Sequence, residues 1–157
     1  ALVAGGSWAG ASRACVRNVR TRITTIEDYD AVYRLWQRCE GIVLGLSDTR
    51  AAIARFLNRN PDLSFVALMD DRIVGAVMCG HEGRRGYIHH LAVDPPHRHH
   101  GIGRALVDAC LQRLRDLNIE KCHIFVMNDN EEGFAFWKHT DWMERTELKV
   151  MTRVLIK

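Results

Sequence analysis

The chain has 157 residues, 47% of them hydrophobic and 26% charged, which suits one globular domain with a real core. That balance excludes a disordered acidic chain, and no apolar run approaches the roughly 20 residues needed to span a bilayer. The net charge of +3 is uneven: residues 1–26, with Arg13, Arg17, Arg20 and Arg22 and no acid, carry +4 and the remainder −1. The globular part is therefore not a nucleic-acid binder by charge. Cys15, Cys39, Cys79, Cys110 and Cys122 are odd in number and lack Cys-x-x-Cys spacing. They read as reduced thiols of a cytoplasmic protein rather than a disulfide framework or a cysteine-rich zinc site.

Residues 1–20 are small and glycine-rich, and are expected to be an extension without a fold, the domain occupying 21–157. An organelle transit peptide is the other reading of this Arg-rich, acid-free leader. A short strand is expected at 19–24. Thr25 with Asp28 marks a helix start, after which Ala31, Val32, Leu35, Trp36 and Cys39 fall on one helical face. Ser47 is expected to cap a second helix, stopped by Asn60-Pro61. Residues 63–69 and 73–80 read as antiparallel strands around Asp70-Asp71-Arg72, and 86–93 as a third strand ended by Asp94-Pro95-Pro96. A long helix over 101–117 carries Ile102, Leu106, Cys110, Leu114 and Leu117 as one stripe. A strand at 121–127, a helix from Asn130 to His139 and a final strand at 142–155 complete the order β-α-α-β-β-β-α-β-α-β. That order is a mixed α/β domain.

The strongest chemical signal lies between the 86–93 strand and the long helix, at Arg98-His99-His100-Gly101-Ile102-Gly103-Arg104. Glycine lets a backbone approach a ligand closely, and free amides at a helix N-terminus carry partial positive charge. Together they suit a phosphate or pyrophosphate, with Arg98 and Arg104 strengthening the field. A tight turn with close helix packing explains the same glycines without a ligand. Neither familiar phosphate loop is present: no Gly-Lys-Ser/Thr follows a four-residue spacer, and Leu106 stands where a dinucleotide fingerprint needs its third glycine.

The stretch from Leu91 to Leu106 resembles the acetyl-CoA-binding motif of the GNAT superfamily of N-acetyltransferases. That motif is Arg or Gln, two residues, Gly, one residue, Gly or Ala, after a Val-x-Pro-x-x turn and before a helix. The element order from about 21 to 155 resembles that fold as well, a mostly antiparallel sheet flanked by helices. The resemblance implies an enzyme that transfers an acetyl group from acetyl-CoA to an amine by direct attack in a ternary complex. It places the CoA pyrophosphate on amides from His99 through Arg104. It runs the pantetheine arm along Leu91, Ala92 and Val93, with the Leu91 amide polarising the thioester carbonyl. Asn130 and Phe136 match the family's later elements. Trp137 stands where it has a tyrosine that protonates the departing thiolate, and Asp141-Trp142 where it has Gly-Phe. An indole N–H does not donate a proton at ordinary pH, so Trp137 is expected against the pantetheine end or in the core. Asp141 can take the left-handed conformation that glycine would supply.

An amine is mostly protonated at neutral pH and must lose a proton to attack. His89 is the candidate base, since alternation puts it on the face of Tyr87, Leu91 and Val93, with His90 on the other. A strand histidine with satisfied hydrogen bonds is the competing account. Glu82 and Glu40 are further candidates on loops. Six histidines lie between 81 and 100, but a loop offering amides to phosphate cannot also aim three imidazoles at one ion, so no metal is expected. The acceptor is a small-molecule or peptide amine held by the 25–60 helices and the 81–86 loop, where Arg84 and Arg85 favour an acidic one unless they are simply solvated. No nucleic-acid or membrane partner is expected, and the resemblance is compatible with a homodimer. A GNAT-like module that binds acyl-CoA without turnover, as a sensor or partner domain, is the alternative function, and the Trp137 substitution leans towards it.

Overall fold

Runs rich in β-branched, aromatic and other apolar residues, joined by short polar turns in the middle of the sheet and by helices at its ends, build a five-stranded sheet in the order β1-β2-β3-β4-β5. The computed structural model describes residues 19–155. The expected extension, with Trp8, Arg13, Cys15 and Arg17, thus lies almost wholly outside the described residues. The strands are β1 (Val19–Ile23), β2 (Phe65–Met69), β3 (Arg72–His81), β4 (Arg85–Val93) and β5 (Lys121–Ile124). The first four pair antiparallel, and β5 runs parallel to β4. The β2–β3 turn works because Asp70 and Asp71 both take the left-handed conformation (φ 48° and 60°) that aspartate tolerates.

Two helices, α1 (Tyr29–Arg38) and α2 (Arg50–Arg59), cover one face. Val32, Leu35, Trp36 and Ile53 bury against Val66, Leu68, Ala76, Met78 and Ala92. A capping-box bond sets the approach to α1, the Thr25 N–H donating to Asp28 Oδ2 at 2.9 Å. The cap of α2 is Thr49, whose hydroxyl accepts from the Ala52 N–H at 3.3 Å. Ser47 was expected there, but it lies inside the preceding 3-10 turn Leu46–Asp48. On the other face, α3 (Ile102–Asp116) buries Ile102, Leu106, Val107, Cys110 and Leu114. Gly86 of β4 makes room for it, because a Cβ there would overlap the Leu114 side chain.

From Val126 onward the chain forms a second compact unit. Its helix α4 (Glu131–His139) is capped by Asn130, which accepts from the Gly133 N–H at 2.8 Å. Asp141 takes the left-handed conformation (φ 65°), and the Thr140 and Trp142 N–H groups both donate to the Trp137 carbonyl at 3.1 Å. Two sequence expectations fail nearby. The fifth strand stops at Ile124 rather than 127, and residues 142–155 form no strand. Alternating apolar residues such as Leu148 and Val150 (58% and 70% exposed) signal a strand only where a partner edge pairs with them. The observed order is therefore β-α-α-β-β-β-α-β-α. No helix among the described residues is long and apolar enough to cross a membrane.

Candidate active site

The middle of β4 decides the site. Its pairing with β3 runs Gly80↔Tyr87, Cys79↔Ile88 and Met78↔His89, then resumes at Ala76↔Ala92 and Gly75↔Val93. His90 and Leu91 together oppose the single residue Val77, which makes a β-bulge, and His90 has φ 48°. The extra residue reverses the alternation beyond it. Tyr87 and His89 share the α1/α2 face, as expected, and their rings stack at 6.4 Å. Ala92 packs into the core beneath α1 and α2, so Leu91 and Val93 turn to the α3 face, contrary to simple alternation. His90 is corrected too. Its ring meets Trp36 edge-on at 4.9 Å, so it stands on the α1 side with His89.

On the other edge of β4, pairing with β5 ends at Ile88↔Ile124. Among the described residues no strand covers that edge at His89–Val93. The Val93 carbonyl there accepts from Arg98 Nε at 3.1 Å and from Cys39 Sγ at 3.5 Å. Burial raises the Cys39 thiol's pKa, keeping it protonated.

Between β4 and the α1–α2 segment lies a cavity of about 430 Å³ lined by Val43, Leu44, Phe56, Met78, His89 and His90, among others. His89 packs edge-on to Phe56 at 6.0 Å. Burial, reinforced by the neighbouring His90, lowers its pKa and favours the neutral ring. His90 Nε2 lies 2.7 Å from Asp48 Oδ1, across 42 residues of sequence. Asp48 is buried; its Oδ2 accepts from the Gly45 N–H at 2.8 Å and its carbonyl from the Tyr29 hydroxyl at 2.8 Å. Sequence reasoning missed Asp48, which reads as a turn residue before a helix cap, and set His90 aside. The only local hint was its position in a strand rich in histidine.

The loop after β4 turns through Pro95–His97 and enters α3 with His99 and Gly101 in left-handed conformations (φ 63° and 79°). The Ala105 N–H donates to the Gly101 carbonyl at 3.0 Å, but no side chain caps the helix. The amides of Ile102, Gly103 and Arg104 at its first turn precede that bond, and a Cβ at Gly101 would meet nothing within 4 Å. The loop therefore holds open space in front of a positive helix end. Side chains flank it less directly than the sequence suggested. Arg98 turns back to β4, His100 Nδ1 lies 3.3 Å from the His97 carbonyl, and Arg104 pairs with Asp108 at 3.9 Å.

Glu40, Glu82, Arg84 and Arg85 are not among the residues that line the cavity. Glu82 pairs with Arg84 at 3.2 Å, and Glu40 and Arg85 are exposed. In the second unit, Trp137 is buried between Phe136 and Trp142, at 5.0 and 4.8 Å. Cys79 and Cys110 are buried free thiols, and burial pushes Cys122 up to about 12. Among the described residues no three His, Cys, Asp or Glu side chains gather as a metal site.

The model of the acetyltransferase (GNAT) family matches residues 29–141. An acetyltransferase of Pectobacterium atrosepticum is 35% identical over 121 residues, covering 77% of this chain and 85% of that protein. Among solved structures, Ard1 from Thermoplasma volcanium superposes with a TM-score of 0.72 at 26% identity, over 80% of this chain and 83% of that one. The paiA N-acetyltransferase of Thermoplasma acidophilum, solved with coenzyme A, shares the fold with a TM-score of 0.70 at 17% identity, over 78% and 87%.

Proposed function

From the premise that this chain belongs to the GNAT acetyltransferase family, we propose that it transfers an acetyl group from acetyl-CoA to an amine by direct attack in a ternary complex. The observation that carries this reading is the uncapped first turn of α3 behind Gly101, beside the stretch of β4 that β5 leaves unpaired. Open space before free amides fits a pyrophosphate, and an unpaired strand edge fits an extended amide-bearing arm. The residues present therefore suit the donor, and the paiA N-acetyltransferase with its bound coenzyme A supports the same choice. When bound, acetyl-CoA supplies the activated acetyl group.

The chain's own residues divide the work. Amides from His99 to Arg104 hold the diphosphate, and the β4 backbone at Leu91, Ala92 and Val93 orients the pantetheine arm. The Leu91 N–H stabilises negative charge on the thioester oxygen. His89, kept neutral by burial beside the cavity, takes the proton from the acceptor's ammonium. His90, fixed by Asp48, lines the same cavity. Direct attack is favoured over an acyl-enzyme because Cys39, the cysteine beside Val93, is a thiol with raised pKa. Asn130 caps α4 and Trp137 packs within its own unit. As the thiolate is already a tolerable leaving group, turnover does not depend on a tyrosine at position 137.

The test is thermal melting against acetyl-CoA with wild type and Gly101→Glu, followed by thiol release over an amine panel. A ligand that binds only the folded state raises the melting temperature. Wild type is expected to shift and to release thiol with at least one amine, and Gly101→Glu not to shift. No shift at millimolar acetyl-CoA removes the donor assignment, and a shift without turnover replaces the enzyme by a binding module.

A further inference from the structure

We propose that the cavity between β4 and the α1–α2 segment selects an acceptor with one primary amine on a single alkyl or arylalkyl group, and discriminates against polycationic amines. This deepens the acetyl-transfer reading and rests on it.

The cavity's lining has two kinds of surface. Val43, Leu44, Ile53, Phe56 and Met78 are apolar, while Ser47, Asp48, His89 and His90 are polar. Asp48 is its one carboxylate, and both its oxygens are engaged, Oδ1 by His90 and Oδ2 by the Gly45 N–H. An ammonium brought to this wall meets a histidine able to take its proton. A second or third ammonium on the same molecule meets Val43, Leu44, Ile53 or Met78 and must shed water without a partner, which is costly.

An apolar body gains from the same walls. Phe56 offers an aromatic face and Met78 a polarizable thioether, both of which favour flat or flexible apolar groups. The volume of about 430 Å³ lies at the small end of ligand pockets and is enough for a compact amine with an alkyl or arylalkyl group. Val43 lines the cavity although it is 68% exposed, so apolar surface continues to the open side, where a polycation would need acids. A peptide acceptor would bring amide groups after its first residue, and the lining's polar side chains are limited to Ser47, Asp48, His89 and His90.

The experiment measures kcat/KM at saturating acetyl-CoA for ethylamine, hexylamine, phenethylamine, spermidine, kanamycin and a short peptide with a free N-terminus. Hexylamine and phenethylamine are expected to exceed ethylamine about tenfold or more, since each methylene in an apolar pocket discriminates by about 10- to 200-fold. Spermidine, kanamycin and the peptide are expected to trail. Val43→Asp, at an exposed site that leaves the core intact, is expected to lower phenethylamine about tenfold and raise spermidine. Its melting shift with acetyl-CoA reports that it is folded.

A panel led by spermidine, kanamycin or the peptide overturns the proposal. So does a protein that acetyl-CoA stabilises but that neither turns over phenethylamine nor gains stability from it in the presence of CoA. If acetyl-CoA itself gives no shift, the underlying acetyl-transfer reading fails instead, and the two failures are told apart by that one control.

Discussion

The two sides of β4 are built from different materials. On the α3 side, the positions proposed for the donor are main-chain groups: the first amides of α3, a left-handed Gly101 and the stretch of β4 beyond its pairing with β5. On the α1/α2 side, the cavity is made of side chains, with Phe56, Met78, His89 and the His90–Asp48 pair meeting from four segments. A backbone site tolerates changes of side chain and fails when the chain's path or an N–H is lost. A side-chain site behaves the opposite way. The bulge at His90 joins the two, because one extra residue turns Leu91 and Val93 towards α3 while leaving both histidines facing the cavity.

That contrast is open to direct attack. The largest effect is expected at Leu91, where Leu91→Pro removes the N–H and should lower kcat by about 10²- to 10³-fold, as loss of one oxyanion donor does. Leu91→Ala keeps the N–H and should stay within about threefold, and equal losses in both variants would dissolve the distinction. Next is His89→Ala, expected to cost about 10² in kcat at pH 7, in the range for general base catalysis. Burial lowers the wild-type His89 pKa, so the ring is already neutral above its ordinary value. The acidic limb of kcat/KM should therefore fall off below about pH 6.5 and vanish in the variant.

Two smaller effects sharpen the boundary. Gly86→Val should lower stability by about 1–3 kcal/mol through overlap with Leu114, read by denaturant melting, with the acetyl-CoA KM unchanged. Asp48→Asn should raise the amine KM by about tenfold and leave the acetyl-CoA KM alone, the sign of a hydrogen bond that orients His90 and not the donor.

Much of this was readable from the chain because it is local. The α3 stripe from Ile102 to Leu114, the Asn130 cap, the left-handed Asp141 and the glycine loop each depend on a few consecutive residues. The sheet's five strands follow from apolar, β-branched or aromatic runs and turns, and the mixed, mostly antiparallel class that the resemblance implied is the one observed. The misses are non-local. Asp48 finds His90 only after α2, β2 and β3 have been laid down, and nothing near Asp48 signals an imidazole. The bulge depends on register against β3, so a period of two carried through His90 assigns Leu91, Val93 and His90 itself to the wrong faces. The final strand failed because alternation at 148–155 reports a capacity to pair, not a partner.

Among the described residues, strands pair with both edges of β4 as far as Ile88 and with one edge beyond it, which bears on how the protein behaves in a tube. Unpaired strand edges are where chains add to one another and begin to aggregate. A ligand lying along His89–Val93 would be a removable cover as well as a reactant. Material stored with coenzyme A is then expected to stay dispersed longer on warming than material stripped of it, as light scattering would record.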